Sequence, residues 1–110
     1  MNMKRIYYEY QPGVLLVVPY TSIMGHSESS YMAKRIVDEV KKSAARTVVF
    51  DLKNISHMNS SFAMMLLMVK KTLLDMGHDI SIVNHSSQVR QVLEMVGLQE
   101  HLRTAWFYSL

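Results

Sequence analysis

The stretch RTVVFDLKNISHMNSSFAMMLLMVKKTLLDMGHDISIVN, Arg46–Asn84, decides the fold. It opens on an apolar run, Val48-Val49-Phe50, that is closed by Asp51 and Leu52. A run this short and this apolar fits a strand buried on both faces. KNISHMN, Lys53–Asn59, has no apolar period and reads as a loop. A helix is then expected from Ser60 to about Met76. Asn59, Ser60 and Ser61 are good capping residues, and Gly77 stands where a left-handed glycine closes a helix. Phe62–Val69 is apolar nearly all round for two turns, so deep cover is expected for this helix. DISIVN returns to strand. A strand, helix, strand unit of this kind implies a parallel sheet with a right-handed crossover.

Working outward, RIYYEY is rich in β-formers and is followed by the turn signal QPG, then by VLLVVP, a second continuous apolar run closed by Pro19. The two fit an antiparallel hairpin. YTSIMGHSESS reads as a polar loop. From about Ser30 the pattern becomes helical, with Met32, Ala33, Ile36, Val37, Val40 and Ala44 on one face. Downstream, the serines of HSSQVRQVLEMVG can cap a helix whose apolar face is Val89, Val92, Leu93 and Val96, ended by Gly97. LQEHL can add one more turn, and TAWFYSL reads as either a short last strand or a packed tail. The expected fold class is α/β. It is a single domain over residues 1–110 with a mostly parallel sheet, an N-terminal antiparallel hairpin, and the order β-β-α-β-α-β-α with an optional final β.

Composition narrows the function. The 110 residues are 49% apolar, enough for a core, with a formal charge of +3 and no cysteine. A disulfide framework, thiol catalysis and cysteine-ligated metal are therefore excluded. The basic residues are dispersed rather than gathered into a stripe, which argues against nucleic acid. The longest apolar run, Phe62–Val69, is far short of the roughly 20 residues that span a bilayer, so no membrane insertion is expected. MNMKRIYYEYQPG lacks an apolar signal core, and a cytoplasmic location is expected.

Catalytic motifs are missing as well. The histidines His26, His57, His78, His85 and His101 form no i, i+4 pair and no His-Glu-x-x-His, so no metal site is expected. His57 lies close in sequence to Ser60, but the Gly-x-Ser-x-Gly elbow of a serine hydrolase is lacking. The four glycines are not clustered into a phosphate-cradling loop. The chain is read as a non-enzyme without a cofactor.

The segment Thr47–Leu98 resembles the heart of a STAS domain, the fold of bacterial anti-sigma-factor antagonists. The family pattern is a buried strand, a short loop, Asp-Ser-Ser/Thr-Gly, an apolar helix, a glycine-bounded turn, a strand, and a helix ending near Val-Gly-Leu. Met95-Val96-Gly97-Leu98 matches that ending. The resemblance implies a signalling protein that binds a serine protein kinase of the anti-sigma type while one hydroxyl is bare. Phosphorylation releases that partner, and a matching phosphatase restores binding. Carried over by position, the acceptor is Ser60, with Ser61 beside it. Three positions depart from the pattern. Asn59 replaces the Asp, Phe62 replaces the Gly, and Thr21-Ser22-Ile23-Met24 stands where an acidic pair is usual.

The expected partner surface combines Ser22, Met24, His26 and Ser27 with His57, Met58, Asn59, Ser60, Ser61 and Phe62. Two readings of Asn59-Ser60-Ser61 fit: a helix cap alone, or a cap that also carries a phosphate switch. Phe62 has two readings as well, as part of the core face or as an aromatic anchor for a partner. The ten methionines, five of them at Met58, Met64, Met65, Met68 and Met76, suit flexible core filling, with an adaptable binding surface as the second reading. A non-phosphorylated scaffold or regulatory subunit is the alternative function. Oligomeric state is not legible.

Overall fold

The computed structural model describes residues 6–21 and 25–102, with His26 given by its backbone alone. Strands β1 (Ile6–Gln11) and β2 (Val14–Pro19) form the expected antiparallel hairpin across the Pro12-Gly13 turn. Gly13 takes a φ of +76°, a conformation that costs glycine nothing. Helix α1 (His26–Ser43) leads to β3 (Thr47–Asp51), helix α2 (Ser60–Asp75) to β4 (Asp79–Val83), and helix α3 (Ser87–Met95) to a 3-10 turn at Gln99–His101. The sheet order is β1-β2-β3-β4, with β2, β3 and β4 parallel. Leu102 bridges in parallel to Ile82 at the outer side of β4. The expected last strand or tail, TAWFYSL, lies outside the described residues.

Helix α1 starts earlier than its periodicity indicates, at His26 rather than about Ser30. Its N-cap is Gly25, which has no capping side chain. The end is held instead by Glu28, whose Oε1 accepts from the Gly25 amide at 2.9 Å. The other helix ends follow the sequence. At the close of α2 the His78 amide donates to Leu73 O at 2.9 Å and the Gly77 amide to Leu74 O at 3.0 Å. At the close of α3 the Leu98 amide donates to Leu93 O at 2.9 Å and the Gly97 amide to Glu94 O at 3.1 Å. Both are Schellman closures, and they need the positive φ that Gly77 and Gly97 adopt.

The core lies between the sheet and the helices. Leu15 and Val17, Val48 and Phe50, and Ile80 and Ile82 point from one face of the sheet to Ile36 and Val40 of α1, Phe62, Met65, Leu66, Val69 and Leu73 of α2, and Val89 and Leu93 of α3. Leu16, Val18, Val49 and Val83 form a second buried cluster on the opposite face. Burial on both faces is why β2 and β3 read as unbroken apolar runs. The amino ends of the strands are tied by backbone bonds. Gly13 O accepts from the Arg46 and Thr47 amides at 3.1 Å each, and Arg46 O accepts from Asp79 N at 3.0 Å.

The candidate switch surface at the carboxyl ends of the strands

Because β2, β3 and β4 run parallel, the segments that follow them emerge at one end of the sheet, where α1, α2 and α3 all begin. Binding sites of open α/β sheets gather at such an end. The loop after β3 is held on two sides. Leu52 N donates to Val83 O and Ile55 N to Leu52 O, each at 3.0 Å, while Ile55 and Met58 are buried in the core. The loop is thus held at Leu52, Ile55 and Met58 and delivers Asn59 to the start of α2.

Asn59 is the N-cap. Its Oδ1 accepts from the Phe62 amide at 3.0 Å, and its carbonyl accepts from Ala63 N at 3.2 Å. Ser60 is exposed at the first helical position and Ser61 half-buried at the second. Their amides have no acceptor within the helix, and with the helix dipole they make the local field favour an anion. No acidic residue occupies the first turn of α2. His57 is exposed, with its Nδ1 3.1 Å from Ser56 Oγ.

Two residues expected on the partner surface are turned inward. Phe62 is 0% exposed and packs in the core, and Met58 is buried. Position 62 is the third of the helix, two residues or about 200° round from Ser60, so its ring falls on the opposite face, toward the sheet. Neither residue can contact a partner at the surface, and of the two readings of Phe62 the core face holds. The outer face of α2 is less covered than expected. Met64 is 46% and Met68 38% exposed, at one and two turns from Ser60, so an apolar ridge runs down the helix from the serine. The methionines therefore divide between roles, with Met65 in the core and Met64, Met68 and Met76 at the surface. Ser27 is exposed and belongs to the first turn of α1, not to a loop. Ser22 and Met24 lie outside the described residues, as does the side chain of His26.

The sequence reading missed Asp51. This carboxylate is fully buried at the end of β3. Its Oδ1 accepts from the Lys53 amide and from Asn84 Nδ2, both at 3.0 Å. Its Oδ2 has no hydrogen bond and faces Lys53 Nζ at 3.8 Å, an ion-pair distance only. Asn84 adopts a φ of +59°, which asparagine tolerates better than most residues. The pair fastens the carboxyl ends of β3 and β4 and so helps set the loop that carries Ser60. A lone carboxylate ending an apolar strand was the available signal, since buried charge needs partners. Beside it, His85 is half-buried with its pKa lowered, first by burial and then by the charge of Arg90, whose Nη1 lies 3.3 Å from Nε2; Glu94 opposes the shift.

The STAS domain pattern matches residues 5–109 of this chain. The chain belongs to the STAS family. No match to a curated protein was found by sequence. Among solved structures, the anti-sigma factor antagonist SpoIIAA in its unphosphorylated form superposes with a TM-score of 0.73 at 16% identity, over 96% of this chain and 97% of that one. The phosphorylated form of the Bacillus SpoIIAA gives 0.68 at 17% identity, over 89% and 88%. An anti-sigma factor antagonist from Mycobacterium paratuberculosis gives 0.72 at 18% identity, over 90% and 84%. At these identities the likeness establishes the fold, and this STAS chain shares the β-β-α-β-α-β-α order with the antagonists. Among the described residues no helix is long and apolar enough to cross a membrane.

Proposed function

We propose that this STAS domain is a cytoplasmic signalling protein that works by partner switching gated at Ser60, and that it is a kinase's substrate rather than an enzyme. The partner is a serine kinase of the anti-sigma type, and a matching phosphatase resets the state. The observation that carries the reading is the placement of Ser60: exposed, at the first position of a helix with no acid in its first turn, at the head of the Met64–Met68 ridge. A partner seated on that surface meets a neutral serine and an apolar stripe. Phosphate brings about −1.5 to −2 charges to the same spot. The helix end stabilises the phosphate, so the modified chain stays folded, while the partner must desolvate a strongly hydrated anion. A penalty of several kcal/mol corresponds to about a thousandfold loss of binding. No rearrangement of the domain is required. Asn59 sharpens the contrast, because the bare site carries no charge of its own. That SpoIIAA has been solved in phosphorylated and unphosphorylated forms supports the comparison.

The test is a paired pull-down from native cell extract with the wild-type chain and Ser60→Asp, read by mass spectrometry together with phosphate mapping. A kinase-like or anti-sigma partner held by the wild type and lost with Ser60→Asp is the expected result. The same partners on both baits, with no phosphate on Ser60, would overturn the switch and leave a constitutive scaffold.

A further inference from the structure

We infer that the outer edge of β1, unpaired among the described residues, is a self-association surface, on which a second copy of this chain adds its own β1 in antiparallel register centred on Tyr8. Among the described residues no strand pairs with β1 on the side away from β2. The two-residue Pro12-Gly13 turn makes Gln11 and Val14 a hydrogen-bonded pair. Alternation along the ladder then gives Glu9–Leu16 and Tyr7–Val18 the same role. It leaves Ile6, Tyr8 and Tyr10 with their N–H and C=O groups pointing outward. The position of Pro19 agrees with this phase, since it stands opposite Ile6 in a pair that needs no donor.

Edges are usually protected by lysine, proline, a bulge or a covering segment. β1 reads Ile-Tyr-Tyr-Glu-Tyr-Gln and carries neither Lys nor Pro. Tyr7 on one face is 52% exposed and Tyr10 on the other 54% exposed. An open groove of about 610 Å³ lies along the edge, lined by Ile6, Tyr7, Tyr8, Tyr10, Tyr20 and Glu39. Tyrosine is the residue type that anchors protein interfaces, because its ring buries while its hydroxyl stays bonded.

The occupant follows from the register. A two-fold axis through Tyr8 pairs Tyr8 with its copy and Ile6 with Tyr10 of the other chain. Each of these residues turns its backbone outward, so all of them enter hydrogen-bonded pairs. The same axis sets Tyr7 opposite Glu9 twice, placing a phenol beside a carboxylate. An axis through Glu9 would instead oppose two like charges and bring Pro12, which has no donor, opposite Ile6. Of these two registers, the one centred on Tyr8 is the self-complementary one. A foreign peptide would have to supply that pattern by chance.

The experiment is analytical ultracentrifugation of the full chain from about 1 μM to about 1 mM, the span in which weak to moderate dissociation constants are read. The wild type is expected to move from the mass of one chain to that of two. Three variants, each checked for its fold by circular dichroism, test the register. Tyr10→Pro removes an outward N–H and leaves the ladder to β2 intact, so the dimer should be lost. Tyr7→Glu opposes two pairs of like charge and should weaken the dimer about tenfold, whereas Tyr7→Lys opposes unlike charges and should preserve or tighten it. A wild type that stays monomeric throughout overturns the proposal. So does a dimer that survives Tyr10→Pro, or equal weakening by Tyr7→Glu and Tyr7→Lys, which would mark non-specific tyrosine stickiness.

Discussion

Helices α2 and α3 begin at the same end of the sheet and by the same device. Asn59 caps α2 by accepting from the Phe62 amide at 3.0 Å, and Ser86 caps α3 by accepting from the Val89 amide at 3.2 Å. Each has an exposed serine at its first position, Ser60 and Ser87, and each ends in a Schellman closure on glycine. The difference lies around the cap. α2 is preceded by a loop pinned by Ile55 and Met58 and continues into the exposed Met64 and Met68. α3 follows the short turn at Asn84 and His85, and its outer face is polar along Ser87, Gln88, Arg90, Gln91 and Glu94, with the Arg90–Glu94 ion pair at 3.0 Å and an exposed Met95 only at its last residue. A capped serine is thus common chemistry. What sets Ser60 apart is a loop held by buried side chains on one side and a pair of exposed methionines on the other.

The largest test of this contrast is at Phe62. Phe62→Ala should cost about 3–5 kcal/mol, because it empties a fully enclosed site at the joint of loop, helix and sheet. Denaturant unfolding would show it. A loss near 1 kcal/mol would mean that the ring is not the anchor of the Ser60 display. Next come the caps. Asn59→Ala and Ser86→Ala should each cost about 1 kcal/mol, with faster hydrogen exchange at the Phe62 and Val89 amides respectively. A negligible effect at Asn59 alone would show that the pinned loop, not the cap, holds the start of α2. The smallest effect belongs to α3. The lowered pKa of His85 means that its stabilising contribution is present above the ordinary value of 6.5 and is lost as pH falls through that value toward the folded one. His85→Gln should flatten the stability profile as pH falls below the ordinary histidine value of 6.5. Parallel profiles for wild type and variant would remove His85 from the account.

How far the chain could be read follows from where each determinant sits. Gly77 and Gly97 marked two helix ends because a left-handed closure excludes most side chains, a local rule visible in one letter. β2 and β3 were legible because burial on both faces leaves no polar alternation. The start of α1 was not, because Gly25 caps without a side chain and the Glu28 that holds it looks like any surface acid. The direction of Phe62 stayed open because SSFAMMLLMV is apolar around most of the helix, so periodicity names no inward face. The Asp51–Asn84 bond joins residues 33 apart in sequence, and only the parallel pairing of β3 and β4 brings them together. Ser60, in contrast, combined a local cap signal with a recognisable family pattern.

The ties at the amino ends of the strands have an engineering consequence. One carbonyl, Gly13 O, serves both Arg46 and Thr47, and the next link, from Arg46 O to Asp79 N, passes the same alignment to β4. The Pro12-Gly13 turn therefore acts as a datum for β2, β3 and β4 together. Lengthening it by a single residue would displace the reference for all three strands, so epitope tags, circular permutation sites and grafted peptides should be kept away from this hairpin tip.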